Sequence, residues 1–160
     1  MGLTNSAPSR LLEKLLNSVV CYNKPVSALQ SDGPAGTILI IDDDESVTHS
    51  FARILRLEGY EVFTAMNGES GLQEAETAHP DAIILDLRMP LVDGLSFLRR
   101  LRANDQQRNT PVAIVTGDYF LDDRVSAELQ QLGAALKFKP LWLEDLVTLA
   151  HSLLHPKVTH

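Results

Sequence analysis

The stretch Ala82-Ile83-Ile84-Leu85-Asp86-Leu87-Arg88-Met89-Pro90 decides the fold. Four apolar residues run without a polar break and end on a carboxylate, and a proline follows four positions later. Such an uninterrupted apolar run is typical of a strand that is buried on both faces. In open parallel α/β sheets, ligands bind at the carboxyl ends of the strands. The stretch therefore predicts a buried strand at 82–85 with Asp86 at the edge where a site would form.

Strand and helix patterns alternate on both sides of this stretch. The other predicted strands are 38–41, 60–65, 112–116 and 134–139. The predicted helices are 46–58, 68–79, one that begins at 93, 122–132 and 143–154. In the first of them, we expect Leu57 to be among the residues that face the core. Five strand–helix repeats predict an α/β fold with a parallel sheet, helices on both faces and right-handed crossovers. The second and fifth strands carry polar residues and suit the edges, and a doubly wound sheet of order 2-1-3-4-5 satisfies this.

Composition narrows the class of protein. With 160 residues, 44% of them hydrophobic, the chain can build the core of one domain, which we place at 37–156, with a short tail at 157–160. The net charge of -7 argues against direct nucleic-acid binding. The single cysteine, Cys21, cannot form an intramolecular disulfide. No apolar run approaches the ~20 residues of a membrane span, and no secretory leader begins the chain, so we expect a cytoplasmic protein without membrane contact.

Residues 1–36 differ in composition from the rest of the chain. A leucine-rich segment at 11–20 places its apolar residues on one half of a helical wheel, and a linker rich in Pro, Gly and Ser follows at 25–36. This amphipathic helix would lie on its own domain, or it would pair with a second copy or dock on a partner, because an apolar stripe is costly to leave in water. Both interpretations stay open.

The first strand ends in Asp42-Asp43-Asp44, which would lie beside Asp86 in the predicted sheet. Carboxylates this close repel by roughly 1 to 4 kcal/mol per pair at the effective dielectric of a partly wet site. A hard divalent cation would offset this repulsion, and Mg²⁺ suits carboxylate, carbonyl and water ligands. Alternatively, acids here cap the following helix, an interpretation that fits Asp44 better than Asp42 or Asp43.

Two further strand tips add complementary groups. The fourth strand ends in Thr116-Gly117 and the fifth in Lys139-Pro140. A hydroxyl, an ammonium and a metal-binding acid cluster could together neutralise a phosphoryl group at Asp86.

In order and spacing, these motifs resemble the receiver (CheY-like) domain of bacterial two-component response regulators, over about 37–154. The resemblance covers the acidic pair Asp42 and Asp43, Asp86, the Met89-Pro90 and Asp93-Gly94 loop, Thr116, and Lys139-Pro140. It implies that Asp86 accepts a phosphoryl group from a histidine kinase phosphohistidine in a Mg²⁺-dependent step, with Mn²⁺ as a second candidate, and that the domain hydrolyses the acyl phosphate itself.

The resemblance also assigns roles to individual residues. Asp43, Asp86 and the backbone carbonyl of Arg88 would bind the metal directly, and Asp42 would act largely through water. Lys139 would contact a phosphoryl oxygen, and Thr116 would turn inward to bond another. The implied partners are a sensor histidine kinase or phosphotransfer protein and a downstream protein. A homodimer would form through the amino-terminal helix or the face of helix 4, strand 5 and helix 5.

The chain departs from the family pattern at two points. An aromatic residue is common three positions before the lysine, where this chain has Leu136, and we expect Phe138 to be buried core and not a substitute. No output domain follows His160, which predicts signalling by protein contact, although a piece of a longer protein would read the same.

The leading hypothesis is a phosphorylation-controlled switch that turns over no external substrate and is not an enzyme proper. One alternative is a Mg²⁺-dependent phosphohydrolase that uses Asp86 on external substrates. That class needs a second acid two residues after the nucleophile, where this chain has Arg88. The other alternative is a receiver-like module that binds partners without being phosphorylated.

Overall fold

A computed structural model describes residues 33–157 of the chain. The predicted helix at 11–20, the linker up to residue 32 and the last three residues lie outside this range. Among the described residues, no helix is both long and apolar enough to cross a membrane.

Strands and helices alternate along the described chain as the sequence predicts. The strands are β1 (Thr37–Ile41), β2 (Glu61–Ala65), β3 (Ala82–Leu85), β4 (Val112–Thr116) and β5 (Ala134–Phe138). The helices are α1 (Glu45–Leu57), α2 (Gly68–Ala78), α3 (Gly94–Ala103), α4 (Asp123–Gln131) and α5 (Leu143–Leu154). All strand pairs are parallel and the order is β2-β1-β3-β4-β5, which confirms the predicted fold.

Hydrophobic residues cover both faces of the sheet, which explains the unbroken apolar runs. Along β1, Leu39 and Ile41 belong to one core cluster, whereas Ile38 and Ile40 belong to the cluster on the other face. The residues of β3 alternate between the same two clusters. Because successive side chains of a strand point to opposite faces, a strand that is covered on both sides must be apolar at every position.

Two packing predictions are wrong. Leu57 of α1 is 77% exposed, because it lies two residues, about 200° of helical turn, beyond the fully buried Leu55. Phe138 is 40% exposed instead of buried, because it ends β5, which pairs with a neighbour on one side only. Its ring stacks on Tyr119, with a centroid separation of 5.5 Å.

Helix α3 begins against the backbone that follows β3. Asp93 caps it by accepting a hydrogen bond from the Ser96 amide at 2.8 Å, and the Gly94 amide donates to the Leu87 carbonyl at 2.9 Å. A Cβ atom at Gly94 would lie 2.5 Å from the Asp86 carbonyl oxygen and 2.8 Å from the Leu87 Cα. Only glycine lets the helix start this close to the strand that carries Asp86.

Candidate functional site

The carboxyl ends of β1 and β3 bring three acids together. The Asp86 amide donates to the Ile41 carbonyl at 2.8 Å, so the two strands end side by side. Carboxylate oxygens of Asp42, Asp43 and Asp86 all lie within 4.8 Å of one another. Asp42 and Asp86 are buried, whereas Asp43 is exposed. The strand tips therefore form an acidic pocket with one open side.

Asp44 lies outside this cluster and caps α1. Its carboxylate accepts hydrogen bonds from the amides of Ser46 at 2.9 Å and Val47 at 3.3 Å. The Asp44 amide in turn donates to Asp42 at 2.9 Å, which holds the Asp42 side chain in place. The capping interpretation is thus confirmed for Asp44, and the other two acids of the run are left to face Asp86.

Lys139 reaches the acids from the end of β5. Its Nζ lies 2.6 Å from Asp42 Oδ2 and 3.6 Å from Asp86 Oδ1. The Lys139 amide donates to the Thr116 carbonyl at 2.8 Å, which sets the start of this side chain beside the end of β4. One ammonium therefore contacts two of the three carboxylates and compensates part of their charge.

The electrostatics of the pocket follow from its burial. Desolvation raises the pKa of Asp86, and the charges of Asp42 and Asp43 raise it further, whereas Lys139 and a hydrogen bond from the Arg88 amide oppose the shift. Burial alone would lower the pKa of Lys139, but the hydrogen bond to Asp42 and the charges of Asp42 and Asp86 outweigh it and leave that pKa raised. The pocket thus favours the charged form of Lys139 and disfavours the charged form of Asp86.

Thr116 is fully buried at the tip of β4. Its hydroxyl oxygen accepts a hydrogen bond from the Asp118 amide at 3.1 Å. The loop from 117 to 122 is also tied to β5, because the Tyr119 hydroxyl donates to the Lys139 carbonyl oxygen. The structure therefore links the predicted hydroxyl and the predicted lysine through one loop.

Sequence reasoning missed Asp118, whose carboxylate pairs with the guanidinium of Arg88. The pair joins the loop after β3 to the loop after β4, and hydrogen bonding from Arg88 lowers the pKa of Asp118. An acid two residues beyond the Thr116 strand tip was a usable signal, because acids follow β1 and β3 in the same way.

The oxygen donors of the acidic pocket fit a hard divalent cation. Three carboxylates face a common point, and Lys139 balances only part of their charge. Oxygen donors in this number suit Mg²⁺ and Mn²⁺, whereas thiol or imidazole ligands would suit softer metals. In the described range, no other group of three or more acids, histidines or cysteines has this geometry.

A family model for the response regulator receiver domain matches residues 38–150. The chain belongs to this receiver family. Members are two-component signalling proteins in which Mg²⁺ binding at an acidic pocket and an aspartyl phosphate are general features, and they are regulatory phosphoacceptors that are generally not classed as enzymes. The acidic pocket of this receiver lies inside the matched range.

Individual relatives share the receiver region only. The transcriptional regulatory protein PrrA of Mycobacterium leprae is 41% identical over 117 residues, which are 73% of this chain and 49% of that protein. The autoinducer sensor kinase/phosphatase CqsS of Vibrio cholerae is 32% identical over 114 residues, or 69% of this chain and 17% of that protein. This receiver chain thus spans about half the length of PrrA and less of CqsS.

Solved structures share the same architecture. The chemotaxis protein CheY4 of Vibrio cholerae superposes with a TM-score of 0.68 and 30% sequence identity, covering 74% of this chain and 98% of that one. A response regulator from Chloroflexus aurantiacus gives the same TM-score at 32% identity, covering 76% of this chain and 98% of that one. These structures support the CheY-like fold of this receiver.

Proposed function

We propose that this receiver is a phosphorylation-controlled switch that accepts a phosphoryl group on Asp86. The single observation that carries the proposal is the position of Asp86, beside two further carboxylates and 3.6 Å from the ammonium of Lys139. An acid that is crowded by like charges and faced by a cation is suited to become a phosphorylated, metal-assisted centre.

The residues around Asp86 divide into metal ligands and phosphoryl ligands. Asp43, Asp86 and the backbone carbonyl of Arg88 would hold Mg²⁺ or Mn²⁺ directly, and Asp42 would act mainly through water. The cation would supply positive charge that offsets the carboxylates and the phosphoryl oxygens. Asp42 has a second task, because it holds the Lys139 ammonium at 2.6 Å and so directs it into the pocket.

The transfer balances as a displacement at phosphorus. A carboxylate oxygen of Asp86 forms the new bond to phosphorus, the bond between phosphorus and the donor histidine nitrogen breaks, and that nitrogen keeps the electron pair. Hydrolysis reverses the state, because water adds to phosphorus and the carboxylate leaves as inorganic phosphate forms. The acyl phosphate therefore resets without a second enzyme.

The switch depends on contacts that only the phosphorylated state offers. A phosphoryl group on Asp86 gives Lys139 a new anion, and it gives the hydroxyl of Thr116 an acceptor if that side chain turns inward. A state that gains these contacts is favoured by their free energy, so phosphorylation shifts the population towards it. The loop from 117 to 122, which connects to both residues, would carry the change to the surface.

The partners follow from the receiver chemistry. Homologous response regulators imply a sensor kinase upstream and an effector downstream, and we infer a histidine kinase or phosphotransfer protein as the donor. We propose that 37–156 is the receiver, that 1–36 is an appendage, and that the output is made by protein contact. A homodimer would use either that appendage or the face of α4, β5 and α5.

Phosphorylation can be tested directly on the whole chain. The protein is incubated with Mg²⁺ and acetyl phosphate, and its intact mass is measured. We expect a gain of one phosphoryl group that is absent in Asp86→Asn and present in the matched control Asp105→Asn, whose carboxylate makes only a surface ion pair. No gain in the wild-type protein, or a gain that survives in Asp86→Asn, would contradict the proposal.

The same samples separate the switch from a phosphohydrolase. A switch releases about one phosphate per cycle of its own acyl phosphate, whereas an enzyme would turn over p-nitrophenyl phosphate many times. Arg88 occupies the position where that enzyme class needs an acid, and its guanidinium is paired with Asp118. Sustained turnover of p-nitrophenyl phosphate that is lost in Asp86→Asn would favour the enzyme.

A further inference from the structure

Two histidines lie side by side at the end of the last helix. His151 is in the final turn of α5, and His155 is the residue that follows the helix. Both side chains are exposed, and their ring centroids lie 4.7 Å apart with an angle of 48° between the ring planes. Within residues 33–157, no group forms a hydrogen bond or an ion pair with either imidazole ring. The ring nitrogens are therefore available to a ligand.

The helix sets the distance between these two side chains. Residues four positions apart on an α-helix lie one above the other on the same face. The helical pattern reaches the second histidine, because the His155 amide donates to the His151 carbonyl at 2.9 Å. In metalloproteases, two histidines at this spacing on one helix face bind a single zinc ion. The last turn of α5 thus places two good metal ligands together before an ion binds.

The ring separation fits one shared ion. An imidazole nitrogen binds Zn²⁺ at about 2.1 Å, and the ring centroid lies roughly 1.1 Å farther along the same line, so each centroid would be ~3.2 Å from the ion. Two centroids 4.7 Å apart then subtend an angle of roughly 95° at the ion. Neighbouring ligands are about 90° apart in an octahedral site and about 109° apart in a tetrahedral one. Either geometry leaves the remaining positions to water.

The position in the fold favours a cation and separates the pair from the acidic pocket. An α-helix carries partial negative charge at its carboxyl end, where both histidines lie. This end of α5 lies at the amino edge of the sheet, because a Cβ atom at Gly36, which precedes β1, would be 3.0 Å from Leu154 Cδ1. Asp86 follows β3 at the opposite edge. The histidine pair and the acidic pocket therefore cannot share an ion.

We propose that His151 and His155 form a transition-metal site, in which one ring nitrogen of each residue binds a cation such as Zn²⁺ or Ni²⁺. Imidazole nitrogen prefers these ions, whereas Mg²⁺ prefers oxygen ligands such as those of the acidic pocket. The site goes beyond the proposed switch function, because it uses neither Asp86 nor the groups around it. A bound ion joins the last turn of α5 to the residue after it, so it stabilises this end of the helix.

The test measures Ni²⁺ binding to the full chain, prepared without an affinity tag, by titration calorimetry in saturating Mg²⁺. His151→Gln and His155→Gln should each weaken binding at least about tenfold, because the ion loses its second imidazole. The double variant should bind only slightly less tightly than either single variant, because neither imidazole alone holds the ion firmly. Mn²⁺ should bind the wild-type pair less tightly than Ni²⁺ does.

Two control variants remove other groups that bind transition metals. His49→Gln removes a single exposed histidine from α1, and Cys21→Ser removes the only thiol of the chain. Both should bind Ni²⁺ at the histidine pair as tightly as the wild-type protein.

Thermal unfolding gives a second readout. Ni²⁺ should raise the melting temperature of the wild-type protein and of both controls, because the folded chain holds the two imidazoles together and the unfolded chain does not. It should raise the melting temperature of His151→Gln and His155→Gln much less. Without metal, these two variants should melt close to wild type, since both side chains are exposed.

The results either support the site or overturn it. Loss of affinity in both single variants, with both controls unchanged, supports it. Equal affinity in the wild-type protein and either single variant would overturn it, and so would a loss in which each single variant keeps one ion at half the total capacity. None of these results depends on whether Asp86 accepts a phosphoryl group, so the two proposals fail independently.

Discussion

Replacing Asp43 with asparagine should stabilise the metal-free protein while it abolishes Mg²⁺-dependent phosphorylation. Asp43 is the exposed member of three carboxylates whose oxygens lie within 4.8 Å of one another. The substitution removes one charge from the cluster and keeps nearly the same shape. It relieves the repulsion of Asp43 with both Asp42 and Asp86, but it also removes a ligand that the cation would need.

The size of the effect follows from the separation of the charges. Two unit charges 4.8 Å apart repel by about 3.5 kcal/mol at an effective dielectric constant of about 20, and by about 0.9 kcal/mol in bulk water. Because Asp43 is exposed, the lower value applies to each of its two pairs, and attraction to the Lys139 ammonium offsets part of the sum. A net gain of about 1 kcal/mol remains, which raises the melting temperature by about 3–5 °C in a domain of this size.

The measurement is thermal unfolding in buffer with a chelator and again with Mg²⁺. Without the metal, Asp43→Asn should melt above wild type, and Mg²⁺ should stabilise the wild-type protein much more than the variant. Asp44→Asn is the matched control, because Asp44 caps α1 and asparagine caps a helix equally well. Its melting temperature should stay the same or fall slightly.

Two results would refute the reasoning. If Asp43→Asn melts below wild type without metal, repulsion does not govern the pocket. If Asp44→Asn gains as much stability as Asp43→Asn, the gain comes from the net charge of the protein and not from the acid cluster. Added salt should reduce the gain, because one partner of each pair is exposed.

Three more predictions concern the same region. Burial raises the pKa of Asp86, so ionisation of this carboxyl group lowers the free energy of unfolding as the pH rises from its ordinary pKa of 3.8 through the raised value. Metal-free Asp86→Asn should therefore unfold at a higher temperature than wild type near pH 7. A difference in melting temperature that persists below about pH 3.5 would contradict this. Leu91 is fully exposed and has a φ of 69°, a left-handed conformation that glycine adopts more easily than leucine. Leu91→Gly should therefore raise the free energy of unfolding, measured in urea, by about 0.5–1 kcal/mol. A decrease would argue against backbone strain at this position. Gly94→Ala should lower that free energy by at least about 2 kcal/mol, because the added Cβ meets backbone atoms; wild-type stability would show that the helix start can shift.

The fold was predictable because its signals are local. The apolar run at 82–85 indicates a strand that is buried on both faces, and the polar residues of β2 and β5 indicate edge strands. The observed order β2-β1-β3-β4-β5 satisfies both conditions. Leu57 was mispredicted because a leucine in an amphipathic helix was counted with its neighbours, although its angle on the wheel points away from Leu55. The prediction that Phe138 is buried was wrong for a related reason, because the hydrophobicity of a residue does not show how much of an edge strand is covered.

The site was predictable as far as strand tips determine it. Parallel strands end at the same edge of the sheet, so Asp42, Asp43, Asp86 and Lys139 had to come close, and the structure brings them together. The contact between Arg88 and Asp118 was not predictable, because it depends on the conformation of two loops and on two flexible side chains. The requirement for glycine at position 94 was also not predictable, because the sequence shows only that a helix begins there and not how closely it approaches the backbone after β3.

Trp142 stands at the first position before α5, three residues after Lys139, and its side chain is 72% exposed. It is the only tryptophan in the chain. The protein therefore carries a built-in fluorophore next to the lysine that faces the acidic pocket, and its emission would change if that segment moves. Ligand binding at Asp86 could then be followed optically in real time, without attaching a dye and without altering a residue of the pocket.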